Sequence, residues 1–130
     1  MPSEKHVRYW IDSAEENYKS MQRIFAAGEY VWALFIGHLV IEKLVKACCA
    51  RRWGADVPKI HDLTRLAKKA GIALSTERED DLDRLTLLQT NVRYHDQQGV
   101  PTRRAQRTWA QGHIETITEL RKWLLDILSK

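Results

Sequence analysis

From Glu29 to Arg52 the chain offers a helix almost no side on which to face water. Tyr30, Val31, Ala33, Leu34, Phe35, Ile36, Leu39, Val40, Ile41, Leu44, Val45, Ala47, Cys48 and Cys49 cover nearly every direction around a helical axis. A helix apolar on most sides must be surrounded by others, so this segment is expected at the centre of a bundle. Its polar residues fall on one stripe, His38, Glu42 and Lys46, each four apart, with Lys43 alongside. The stripe reads as the solvated side. Glutamate preceding lysine by four is the favourable order, worth about 0.2–0.5 kcal/mol. The longest apolar run, Tyr30 to Gly37, falls well below the roughly 18 residues that span a bilayer. With a charged opening, Met1 to His6, and no secretory apolar stretch, the chain reads as soluble and cytoplasmic, with no membrane partner.

The flanking segments supply the partners. Val7, Trp10, Ile11, Ala14, Tyr18, Met21 and Phe25 recur at three-and-four spacing after Ser3, a helix-capping residue type, and Gly28 ends that helix. Pro58 closes the break after the central segment. A short helix is expected from His61 to Ala70, stopped by Gly71. Ser75 or Thr76 caps a fourth helix, with Glu79 as a capping-box partner for Thr76. Its inner face is Leu82, Leu85, Leu88, Val92 and His95. After a break over Gln97 to Pro101, Thr102 opens a last helix with Trp109, Ile117, Leu120, Leu124 and Ile127 inward. No strand-period alternation or hairpin signal competes. The fold class is all-α: an antiparallel up-and-down bundle of four long helices plus one short helix, forming a single domain over residues 1–130.

Charge narrows the function classes only a little. The net charge of +4 permits polyanion binding without demanding it. Arg103, Arg104 and Arg107 form one basic cluster and Arg51 with Arg52 a smaller one, both read as solvated helix ends. Cys48 and Cys49 are adjacent, which disulfide geometry disfavours, and they read as small hydrophobes in a reducing compartment. Five histidines with no carboxylate at ligand spacing make no metal site, and no cofactor is expected. Trp10, Trp109 and Trp123 fall on apolar faces and read as core. Trp32 and Trp53 lie near the two ends of the central helix, where a wide ring anchors a partner. The apolar surface of that helix exceeds what its neighbours cover, and a two-fold homodimer is the simplest closure.

One cluster stands apart from the scaffold. Asn91-Val92-Arg93-Tyr94-His95-Asp96 gathers a fixed cation, a phenol, an imidazole and a carboxylate just before the Gly99-Val100-Pro101 breaker. Arg93 suits bidentate phosphate contact. His95 carries an imidazole that titrates near neutrality. Helical residues two apart diverge by roughly 200°, which opposes Arg93 and His95 acting together within one subunit.

Several segments, in order, resemble the HEPN domain family of nucleotide-associated helical proteins. Gly28-Glu29-Tyr30 through Ala33, followed by Val40-Ile41-Glu42-Lys43-Leu44-Val45-Lys46-Ala47, is similar to the family's second-helix signature. His61-Asp62-Leu63 with Leu66 resembles the opening of its short helix. Arg93-Tyr94-His95-Asp96 resembles the arginine-tyrosine-proline-aspartate end of its fourth, with His95 in place of the proline. The resemblance implies the binding half of a two-component, toxin–antitoxin type module, paired with a minimal nucleotidyltransferase and engaging nucleotide, RNA or that partner. Arg93, Tyr94 and Asp96 would make the contacts, with Glu42 and Lys46 as a polar slot on the central helix. The alternative is a metal-independent endoribonuclease toxin acting as a homodimer. Catalytic branches of the family carry arginine followed after four to six residues by histidine, and Gln98, Gly99 and Val100 fail that spacing from Arg93. Arg107 and His113 meet it, and with His95 they are the catalytic candidates of that alternative.

Overall fold

The computed structural model describes residues 2–97 and 103–130, and the side chains of 3–89 and 106–130. Five helices follow in order: α1 (Pro2–Ala26), α2 (Tyr30–Trp53), α3 (Leu63–Lys69), α4 (Thr76–Gln97) and α5 (Arg103–Leu128). The all-α bundle is as expected, and α2 touches each of the other four helices. Its residues Ala33, Leu34, Val40, Ile41, Leu44, Val45 and Cys49 are buried against Ala14 and Met21 of α1, Leu63 and Leu66 of α3, Leu82 and Leu85 of α4, and Ile117, Leu120 and Leu124 of α5. Each leucine or isoleucine fully withdrawn from water contributes about 1.5–3 kcal/mol. The apolar sequence of α2 is thus satisfied by neighbours along most of its length, with Trp32 and Trp53 left exposed near its ends.

Gly37 marks the tightest approach. A Cβ placed there would lie 2.5 Å from Ile117 Cδ1 and 3.1 Å from Met21 Sδ, so α1, α2 and α5 converge where α2 has no side chain.

Helix ends follow local chemistry with some departures from expectation. α1 begins at Pro2, so Ser3 lies inside the helix and is not its cap; proline suits a first position because its missing N–H would have no partner there. Gly28 has φ +84°, which a side chain would strain. It donates to Phe25 O at 3.0 Å while Glu29 N donates to Ile24 O at 3.1 Å, the paired bonds that close a helix C-terminus. The short helix starts two residues later than expected because the Asp62 side chain accepts from Arg65 N at 3.1 Å and takes the cap. Ser75, not Thr76, caps α4, with its Oγ accepting from Arg78 N at 3.1 Å. Glu79 accordingly makes no capping box with Thr76; it reaches across to Lys68 at 3.4 Å. The expected inner residues Val92 and His95, and the opening Thr102, lie outside the described residues.

Trp10, Trp109 and Trp123 are half-buried at the core's margin and not enclosed within it. Trp32 and Trp53 are 54% and 37% exposed at the ends of α2.

α3 and α4 run antiparallel through a series of polar ties. Leu63 N donates to Thr86 Oγ1 at 3.2 Å, the Thr64 hydroxyl donates to Asp83, and Lys68 meets Glu79 one turn further along α3. The N-terminal turns of α4 therefore lie beside the end of α3, and its C-terminal half runs on past the start of α3.

Candidate functional site

The polar stripe of α2 faces inward, which corrects the expectation of a solvated side. His38 is fully buried and Glu42 is 4% exposed. Lys46 Nζ donates to Glu42 Oε2 at 3.1 Å, with its side chain only 12% exposed, and lies 5.4 Å from the centre of the Trp10 ring. Lys43, beside the stripe, donates to Ser13 Oγ of α1 at 2.7 Å. α1 thus covers much of the side of α2 that was expected to meet water.

The other half of the cluster comes from the entry to α3. Because Asp62 caps that helix, His61 sits one position before the cap with its side chain 72% exposed. Its Nδ1 nevertheless reaches Glu42 Oε1 at 3.0 Å. A carboxylate only accepts, so Nδ1 carries the hydrogen and Nε2 is left for solvent. Glu42 therefore joins two sequence segments of family character, the α2 signature and the His61-Asp62-Leu63 opening. Its two oxygens are each engaged, one by an ammonium and one by an imidazole.

His38 completes the cluster without bonding to it. Its Nδ1 stands 3.8 Å from Glu42 Oε1, too far for a hydrogen bond, and the ring's polar neighbour is the His61 backbone, at a geometry short of a full hydrogen bond. Burial pushes its pKa from 6.5 down to about 4, with His61 and Lys46 acting in the same direction and Glu42 opposing them. His38 is a neutral core imidazole at physiological pH. Among the described residues no three His, Cys, Asp or Glu side chains are placed to hold a metal ion. Cys48 and Cys49 are free thiols in the core, pushed up to about 12 and about 11 by burial.

The other expected site residues divide in two. The backbone of Arg93, Tyr94, His95 and Asp96 belongs to the last turns of α4, while their side chains lie outside the described residues. Arg107 and His113 are not brought together in one protomer. They are six positions apart on α5, about 240° around its axis. Arg107 is exposed, whereas His113 is half-buried with its ring set edge-on to Trp109 at 5.3 Å.

Sequence reasoning missed the Glu42–His61 contact and the burial of Glu42. The signal was present in the pattern: with so many apolar positions demanding neighbours around α2, a narrow polar stripe on the same helix has little chance of staying wet.

No curated protein and no solved structure matches the chain. One family model does, that of the HEPN domain, over residues 7–128. That match runs from within α1 to the end of α5, across the α2 and α3 segments that meet at Glu42, and the chain belongs to the HEPN domain family.

Proposed function

We propose that this protein is the nucleotide-, RNA- or partner-binding half of a two-component module of toxin–antitoxin type, working beside a minimal nucleotidyltransferase. The observation that carries the reading is the family match across residues 7–128, which supports a nucleotide- or RNA-related role for the bundle. In this reading Arg93 contacts phosphate through its planar fork of donors, Tyr94 stacks or donates its hydroxyl, and Asp96 orients Arg93. Glu42 and Lys46 serve it from the scaffold side. Lys46 holds Glu42, and Glu42 holds His61 at the start of α3, to which α4 is tied through Thr86 and Asp83. The end of α4 is thereby carried on a braced helix.

The acting form is a homodimer. The exposed Trp32 ring and the half-buried Phe35 beside it, 6.1 Å between ring centres, give α2 an apolar surface at the end where it begins. A monomeric mass by light scattering at micromolar concentration would remove the dimer.

The test of the binding role is calorimetry with nucleotides and a short RNA on the protein and on Arg93→Ala. The expected result is binding that weakens about tenfold or more in the variant, with an unchanged melting temperature. Equal affinity in the two proteins would overturn the assignment. Incubation with total RNA in EDTA separates the neighbouring chemistry: cleavage lost on His95→Ala would replace the binding module with a ribonuclease.

A further inference from the structure

The beginning of α4 lies against a second feature, far from its end. A groove of about 650 Å³ opens between the last turn of α2, the 70–73 connection and the last turns of α5. Cys48, Ile72, Trp123 and Ile127 give it an apolar floor, and Arg51 with Arg52 supplies its charge. Among the described residues no aspartate or glutamate lines it. The volume falls in the range of small-molecule sites, about 300–1,000 Å³.

Three details show how the groove is held open. Gly71 has φ +77°, and a Cβ there would lie 3.5 Å from Arg52 Nη1, so the backbone turns close beneath that guanidinium. Arg51 Nη1 donates to Ile127 O at 2.8 Å and ties the end of α5 to α2. Arg78 of α4 lies 5.0 Å from the centre of the Trp123 ring and fixes the aromatic wall.

The helix ends that meet here, those of α2, α3 and α5, present partial negative charge, and arginines near them serve that role in part. Arg51 does so directly through the Ile127 carbonyl. Arg52 does not: among the described residues its guanidinium has an aromatic neighbour, Trp53 at 5.3 Å, and no carboxylate. A cation without an acid partner, beside an apolar hollow that holds no acid, is complementary to an anion with an apolar body.

We propose that this groove is a binding site for a small amphipathic anion, a carboxylate or phosphate monoester carried on a flat apolar body. The acid group meets the Arg52 fork and the free donors of Arg51. The body lies on Ile72, Ile127 and Trp123. The site is distinct from the end of α4, since Arg78 and Asp96 are 18 positions apart and a helix rises about 1.5 Å per residue, roughly 27 Å in all.

The probe is 1-anilinonaphthalene-8-sulfonate, whose fluorescence rises in an apolar site and which carries one anion. The full chain is expected to bind one molecule saturably. Arg52→Ala weakens binding about tenfold or more, because a charge-assisted hydrogen bond is lost while an exposed residue is removed. Ala73→Trp, which fills the groove from an exposed position, abolishes it with the melting temperature unchanged. The neutral N-phenyl-1-naphthylamine binds at least about tenfold more weakly than the sulfonate. Displacement by 2-naphthoate or by 2-naphthyl phosphate tells which acid the site prefers. Probe binding that is absent, or equal in both variants, or matched by the neutral analogue, or resistant to both competitors, overturns the proposal. Arg93→Ala leaves probe binding unchanged, which separates this site from the nucleotide reading.

Discussion

His38 links the fold to pH in a way that can be measured. In the unfolded chain its imidazole takes a proton near pH 6.5, and in the folded protein only near pH 4, because the ring is fully buried and desolvated. Between those values the unfolded state binds more protons than the folded one. Stability from this group is therefore complete above pH 6.5 and declines as the pH falls toward 4. At about 1.4 kcal/mol per pH unit, the decline reaches about 2 kcal/mol by pH ~5. His38→Leu removes the titration while keeping most of the volume. It also removes two desolvated nitrogens, each able to cost about 1–3 kcal/mol, so the variant is expected to equal or exceed the parent near neutral pH. Urea unfolding of both proteins at about pH 7 and about pH 5, followed by tryptophan fluorescence, reads the effect as a difference of differences, in which the other carboxylates and histidines cancel. The parent should lose about 2 kcal/mol more than the variant on acidification. An equal loss in the two proteins would refute the neutral state of His38, and a leucine variant clearly weaker at neutral pH would refute the cost assigned to its desolvated nitrogens.

Other changes have equally definite outcomes. Glu42→Ala leaves the nearly buried Lys46 and the His61 ring without their common acceptor, and thermal unfolding should show a loss of about 3–5 kcal/mol; a loss below about 1 kcal/mol would mean the cluster does not hold the bundle. Gly37→Val drives a branched side chain at Ile117 and Met21 and should cost more than about 2 kcal/mol, whereas Gly37→Ala, whose single Cβ meets Ile117 Cδ1 and Met21 Sδ on flexible side chains, should cost clearly less, about 1 kcal/mol, in the same melt. Cys48 and Cys49, buried with raised pKa values, should resist iodoacetamide near pH ~8 in the native protein and both react in denaturant, as mass spectrometry would show.

The bundle was legible in the sequence because its strongest signal is also its strongest constraint. α2 advertises its enclosure by composition alone, and the one-sided patterns of α1 and α5 supply the faces that enclose it. What pattern reading misjudged was local competition for caps. Ser3, Ser75 and Thr76 are all good capping types, and Asp62 is another; only the path of the chain decides which of them precedes the first helical turn. Pro2 displaced Ser3, and Ser75 prevailed over Thr76, because each fits a first-turn geometry that composition does not encode. The tryptophans at the core margin show the same limit. Period places Trp10, Trp109 and Trp123 on inward faces, but a ring of that size on a bundle this thin reaches the edge of its own helix.

The site was half legible for a deeper reason. Glu42, Lys46 and His61 carry family character in sequence, yet their roles depend on which side of α2 the chain buries. Buried as they are, Glu42 and Lys46 satisfy one another, and His61 takes the remaining oxygen. A carboxylate so placed repels an incoming phosphate, and freeing Lys46 to meet one would leave Glu42 buried and unpaired. In the proposed reading anion recognition falls instead to Arg93 of α4. The two classes separate experimentally. Glu42→Gln should lower the melting temperature and leave nucleotide affinity unchanged, while Arg93→Ala should do the reverse; the opposite pattern would place the ligand on α2 and overturn the division between brace and binding end.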